Sequence, residues 1–106
     1  MATNTAVATG DLRPSTGPLI ANFPNPFNPS TTVQCVIPEE GIATLEVYDL
    51  LGRRVRSLLH QHLTPGTHAV TWDGKDDHQR AAGAGVYLCR LTGKGFSASR
   101  SMLLVK

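Results

Sequence analysis

Between Asn22 and Thr32 the sequence reads NFPNPFNPSTT, and its prolines Pro24, Pro26 and Pro29 constrain the chain more than any other stretch. Each fixes its own φ near about −65° and biases the residue before it toward an extended conformation, which excludes a helix or a central strand here. Asn25 and Asn28 stand directly before prolines, where an amide side chain can fold back onto local backbone as an Asx turn does. Phe23 and Phe27 are the only large apolar groups of the stretch. It reads as a stiff corner framed by Pro24, Asn25, Pro26, Asn28 and Pro29, pinned by its two phenylalanines and without catalytic chemistry of its own. Phe23 and Phe27 are expected to seal one end of the fold, away from the chain's last residues. Before the corner, residues 1–18 show no hydrophobic periodicity, and Gly10, Pro14, Gly17 and Pro18 break any regular element. That segment reads as a flexible inter-domain linker, and residues 19–106 as the folded domain.

Downstream of the corner the pattern has period two, the signature of half-buried strands. Leu19-Ile20-Ala21 makes a short first edge strand. Thr31 to Ile37 follows with Val33, Cys35 and Ile37 on one face, then Ile42 to Asp49 with Ala43, Leu45 and Val47 inward. Gly52 supplies a positive φ in the connection to Arg54–Leu59, where Leu58 and Leu59 lie in a segment too short for a stable helix. Pro65-Gly66 marks a turn before His68–Trp72, and a polar loop runs from Asp73 to Gly85. Val86–Leu91, the Gly93-Lys94-Gly95 hairpin and Phe96–Val105 complete the chain. About seven strands with no convincing helix predict an all-β, immunoglobulin-like antiparallel β-sandwich. Arg54, Arg56 and Arg90 are expected to guard exposed strand edges against unwanted pairing.

Composition excludes several classes of function. With 41% hydrophobic and 17% charged residues the chain is globular. A dispersed net charge of +2 without a basic run argues against nucleic acid as a partner. No apolar stretch approaches the ~18 residues of a membrane helix, so the chain is not expected to span a membrane. The first residues lack the charged-then-apolar layout of a secretory signal. A monomer without cofactor is expected.

Three constellations carry potential chemistry. His60 and His62, with His68 across the turn, have a spacing that can bind a metal, but no third ligand or orienting carboxylate stands near them in sequence. Asp73, Asp76 and Asp77 offer oxygens to calcium, yet their spacing departs from an EF-hand and Lys75 weakens the local field, so a turn capped by Asp73 is expected. Ser15 and Ser30 have no histidine close in sequence and no GxSxG elbow exists, so no enzyme is expected. Cys35 and Cys89 belong to no CxxC pair, which argues against zinc or redox motifs. They lie on strands that often face one another in sandwiches. Two states stay open: one disulfide closing a loop of about 50 residues and worth on the order of 4 kcal/mol, or two reduced core thiols.

Five pieces together resemble a known family: Asn22–Thr32 (NFPNPFNPSTT), Leu45–Val55 (LEVYDLLGRRV), Gly66–Asp77 (GTHAVTWDGKDD), Gly83–Leu91 (GAGVYLCRL) and Arg100–Lys106 (RSMLLVK). In this order they resemble the C-terminal sorting domain of type IX secretion cargo, which is similar to the immunoglobulin-like domain of flagellar hook-capping proteins. The resemblance implies an address tag behind an N-terminal cargo domain, passing through the periplasm to be secreted or displayed at the cell surface. Its implied partners are an outer-membrane translocon and a sortase-like peptidase, with cleavage in the linker before Asn22. Carried over by position, Gly93 or Gly95 and the terminal Met102, Leu103, Leu104, Val105 and Lys106 are the part the machinery reads. Ser101 departs from the pattern where a second basic residue often follows Arg100. Cys35 and Cys89 both replace positions that are usually aromatic or aliphatic, a paired change that favours a bridge. Independently of family, a last edge strand ending Leu103-Leu104-Val105-Lys106 suits capture by strand addition, unless Leu103 and Val105 simply fill the sandwich. The competing reading is a structural or carbohydrate-binding accessory domain of a secreted enzyme, which would expose aromatics in a flat row; Trp72, Tyr48 and Tyr87 are the candidates.

Overall fold

The period-two alternation is realised as strands stacked in two antiparallel sheets, in a computed structural model that describes residues 19–106. The linker assigned to residues 1–18 lies outside the described residues. In chain order the strands are β1 (Leu19–Phe23), β2 (Thr31–Ile37), β3 (Gly41–Tyr48), β4 (Arg54–Leu63), β5 (Gly66–Trp72), β6 (Gly85–Gly93) and β7 (Phe96–Leu104). One sheet has the order β1-β2-β5 and the other β4-β3-β6-β7. β1 lies against β7 and β5 against β4, closing the two flanks of the sandwich. No helix of the described residues is long and apolar enough to cross a membrane.

The alternating positions meet in the middle. Val33, Cys35 and Ile37 of β2 face Ala43, Leu45 and Val47 of β3 and Tyr87, Cys89 and Leu91 of β6 as one buried cluster. Each aliphatic side chain fully buried this way contributes about 1.5–3 kcal/mol relative to exposure. Toward one end the filling is aromatic. Phe27 packs on Trp72 with ring centroids 5.5 Å apart, and Trp72 meets Tyr87 edge-on at 5.4 Å. Both polar handles are satisfied: the Trp72 indole N–H donates to the Lys75 carbonyl at 2.9 Å, and the Tyr87 hydroxyl donates to the Gly83 carbonyl. A tyrosine near a strand start bonding backbone four residues upstream, two residues before a cysteine, is the tyrosine corner of immunoglobulin-like sandwiches.

Two sequence expectations change. β4 does not stop at Leu59 but runs to Leu63, pairing with β3 from Tyr48↔Arg54 to Gly41↔Leu63 with bulges on the way. Its polar His60-Gln61-His62 sits on an outer strand, where one backbone edge and one face are solvated, so polarity did not end the strand. Arg54 and Arg56 do lie on an edge strand, but Arg90 is on β6, which is flanked by β3 and β7 and has no free edge.

The loop after β5 covers the beginning of the β4 edge, at Val55 and Ser57. The Asp77 N–H donates to the Val55 carbonyl and the Ser57 N–H to the Asp77 carboxylate, both at 2.9 Å, while Arg56 reaches Asp73 Oδ1 at 2.9 Å. Gly74 holds this loop against the proline corner: with φ at +79°, a Cβ there would come within 2.5 Å of the Pro29 carbonyl oxygen. Gly74→Ala is therefore expected to cost about 2–4 kcal/mol, from a left-handed backbone and an unyielding main-chain clash. Gly52, at φ +82° with open space around it, isolates the backbone part. Gly52→Ala should cost about 1–2 kcal/mol. Urea unfolding of the two variants checks this, and equal losses would contradict a clash at Pro29.

Candidate functional site

The terminal segment and the proline corner, about eighty residues apart in sequence, form one structure. β7 is an edge strand, so every second N–H and C=O on its outer side lacks a strand partner. The corner supplies those partners. The Phe27 N–H donates to the Leu103 carbonyl and the Val105 N–H donates to the Phe27 carbonyl, each at 2.9 Å, giving a parallel bridge between Phe27 and Leu104. The Leu103 N–H donates to Asn25 Oδ1 at 3.0 Å, and Asn25 Nδ2 donates to the Ser101 carbonyl at 3.4 Å. Arg100 Nε donates at 2.9 Å to Oδ1 of buried Asn22, whose Nδ2 donates to the Thr31 hydroxyl at 3.2 Å. Thr31 donates in turn to the Pro24 carbonyl at 2.8 Å. The X–Pro bonds at Pro24, Pro26 and Pro29 are cis.

This arrangement corrects three expectations. The corner does not sit away from the last residues; it clasps them. Asn25 does not fold onto its own turn but spans to β7, because the unpaired backbone of an edge strand is the stronger demand. Of the two phenylalanines only Phe27 seals the sandwich, at 1% exposed, whereas Phe23 is 57% exposed. The terminal parity also differs from the reading in which Leu103 and Val105 fill the core. Tyr87 pairs with Met102, so Met102 and Leu104 point inward and are buried, and Leu103 and Val105 are each 38% exposed.

Gly93 and Gly95 lie at the hairpin, at the far end of β7 from Met102–Lys106, on the order of 25 Å away at about 3.4 Å per residue. The structure therefore does not bring these two parts of the carried-over set together. Each glycine has a local reason: the Phe96 ring occupies the place a Cβ on Gly93 would take, and Gly95 turns the hairpin at φ +76°. β1 is the first edge strand expected at Leu19-Ile20-Ala21, and it runs on into the corner as far as Phe23.

The polar constellations are spent on structure. His60 Nδ1 meets the Thr44 hydroxyl at 2.9 Å, His62 meets Glu40 at 3.3 Å, and His68 bonds the Thr64 carbonyl at 2.7 Å, so the three histidines do not converge. Asp73 Oδ1 accepts the Lys75 N–H at 3.0 Å, as the turn reading expects, and Asp76 accepts the N–H groups of His78 and Arg80. Burial works to raise the Asp73 pKa, but the Lys75 N–H and Arg56 outweigh it and hold it below the ordinary value. The Arg80 N–H likewise holds Asp76 low, and the Arg53 N–H holds Asp49 low. Among the described residues no cluster of three or more His, Cys, Asp or Glu is arranged around a metal position.

Cys35 and Cys89 are free thiols buried in opposite sheets. Burial raises both pKa values, and with Cys35 beside it Cys89 is pushed up to about 12. Neither is a thiolate at neutral pH, so neither is an activated nucleophile. Trp72 is fully buried and Tyr87 nearly so; of the aromatics considered for a glycan platform only Tyr48 reaches the surface, with its hydroxyl donating to Glu46 at 2.6 Å.

Residues 30–95 match the FlgD Ig-like domain family. No curated protein matches the chain. Among solved structures, dimeric latent PorU from Porphyromonas gingivalis is similar over 93% of this chain at 24% identity and a TM-score of 0.69. PorZ from the same organism, described as an essential bacterial surface component of the type IX secretion system, is similar over 92% at 16% identity and a TM-score of 0.57. The chain spans 10% and 12% of those two proteins, so what it matches is one domain in each.

Proposed function

The chain belongs to the FlgD Ig-like domain family, and we propose that it is a non-catalytic sorting module that carries an attached cargo across the outer membrane by the type IX system to the cell surface. The observation that carries this reading is the division of labour in the terminal strand. Met102 and Leu104 anchor it in the core, while Leu103, Val105 and Lys106 stay presented at the surface beside a rigid clamp. A recognition element needs both properties, since a preorganised segment loses less entropy when it is bound. The five sequence pieces resembling type IX sorting domains, and the fold shared with a domain of PorZ, support the same assignment. The accessory-domain reading is less favoured, because Trp72 and Tyr87 lie inside the sandwich and leave no flat row of exposed aromatics among the described residues.

The test is a reporter fused ahead of the 106-residue chain in a bacterium that has a type IX system. The fusion should reach the surface or medium, and the double variant Leu103→Ser/Val105→Ser, which spares every buried side chain, should leave it in the periplasm. Secretion of the variant at the unaltered level, with an unchanged melting temperature, would show that these side chains are not read. Failure of the unaltered fusion to leave the periplasm would reject the sorting role itself.

A further inference from the structure

The outer face of the four-stranded sheet changes character along its length. On β6 the outward positions are Val86, Leu88, Arg90 and Thr92, apolar near the terminal segment and polar toward the hairpin. Val86 is paired across to Leu103 and Leu88 to Tyr48, so these four side chains share one face. Val86, Leu88 and Leu103 are 40%, 36% and 38% exposed, and Leu50 in the β3–β4 turn, at 75%, forms a lip beside them. Val86, Leu88 and Leu50, together with Arg90 and Ser101, border an open groove of about 380 Å³, and Leu103 lies next to it, opposite Val86. Ile42 is a lone exposed aliphatic at the other end of β3, whereas clustered aliphatics such as these mark a contact surface rather than a solvated one.

Two further observations say what fits. First, the outer backbone of β7 between Ser101 and Val105 is already bonded by Asn25 and Phe27, so a partner meets side chains there and not a free strand edge. Second, the unspent charge of the groove is positive. Asp49 is saturated by the N–H groups of Leu51 and Arg53 and by the Arg53 guanidinium, and Glu46 is held by Arg54 and the Tyr48 hydroxyl. Arg90, which lines the groove, stands opposite Glu46 in the β3–β6 register, yet among the described residues its guanidinium makes no ion pair within 4.0 Å, the Glu46 carboxylate being taken by Arg54 and Tyr48. Val86, Leu88 and Arg90 follow at alternate positions, about 6.7 Å apart along an extended strand.

We infer that this face receives an extended segment of a partner protein carrying two bulky apolar side chains and then an acidic one, at alternate positions. The apolar pair lies over Val86, Leu88 and Leu103, and the carboxylate meets Arg90. The inference rests on the sorting role for its biological setting, and it enlarges the recognised surface from a linear terminal segment to a patch shared by β3, β6 and β7.

The probe is the acetylated, amidated pentapeptide Leu-Thr-Phe-Thr-Asp, titrated into the 106-residue chain while backbone amide shifts are followed. Shifts are expected at residues 86–90 and at Leu103. Affinity should fall about tenfold, the equivalent of roughly 1.4 kcal/mol, when the peptide's Asp becomes Asn or when Arg90→Gln is introduced. Equal binding of the Asp and Asn peptides, shifts confined to the three-stranded sheet, or no binding at millimolar peptide would each overturn the inference. In the reporter fusion, Leu88→Asp should block secretion while the melting temperature holds. If the unaltered fusion is secreted and Leu88→Asp is secreted equally well, the patch fails and the sorting role stands. If neither is secreted, the sorting role fails, and the peptide titration alone decides the patch.

Discussion

Replacing Phe27 by alanine is expected to lower the stability of the sandwich by about 3–5 kcal/mol, the range for emptying a buried phenylalanine site. The ring is 1% exposed and leans on Trp72, which leans on Tyr87, so the cavity opens beneath the largest side chains of the core. Partial collapse is hindered because both partners are held by their own hydrogen bonds, Trp72 to the Lys75 carbonyl and Tyr87 to the Gly83 carbonyl. The sequence suggested that such a change would leave the terminal segment alone. The structure gives a different result, since the backbone of the same residue pairs with Leu103 and Val105. Amide exchange at Val105, whose N–H donates to Phe27, should therefore accelerate more than exchange in β3. Thermal unfolding with hydrogen exchange checks both parts. An unchanged melting temperature would contradict the packing, and unchanged protection of Val105 in a destabilised variant would contradict the clamp.

How far the sequence reaches is visible in where it succeeds. In β3, and in β2 up to Cys35, apolar and polar residues alternate, and the faces read from the sequence, Val33, Cys35 and Ile37 and then Ala43, Leu45 and Val47, are buried in the structure, although Val36 on the other face of β2 is buried as well. A period of two is a local property of the chain, and one buried face enforces it. The end of β7 and the residue after it form the unbroken run Met102-Leu103-Leu104-Val105, which has no alternation to read. Its parity is set from outside by the hairpin register that places Met102 opposite Tyr87. The clamp lies further from reach. Asn25 and Asn28 before prolines signal turns, and nothing within dozens of residues announces that one of these amides will satisfy the backbone of Ser101 and Leu103, 76 and 78 positions away. The sequence thus identified the two parts of the candidate site, the corner and the terminus, and placed them apart. What joins them is an edge strand's demand for partners, which exists only once the sheets have formed.

The same geometry decides how a terminal deletion should be read. Removing Met102–Lys106 is expected to cost about 4–10 kcal/mol, because two buried side chains, Met102 and Leu104, leave the core at about 2–5 kcal/mol each. The loss also takes away the main-chain partners of Phe27 and one of those of Asn25, exposing the corner that closes the aromatic end. Against a total stability of about 5–15 kcal/mol for a domain, such a change leaves much of the population unfolded. Circular dichroism on heating should show a melting temperature lowered by tens of degrees or no cooperative transition, whereas Leu103→Ser/Val105→Ser should melt close to the unaltered chain, since surface substitutions are usually within about 0.5 kcal/mol. A truncated chain that melts normally would mean that Met102 and Leu104 are not part of the core. If it melts as expected, a secretion defect after truncation measures the fold, and only the exposed pair measures the signal.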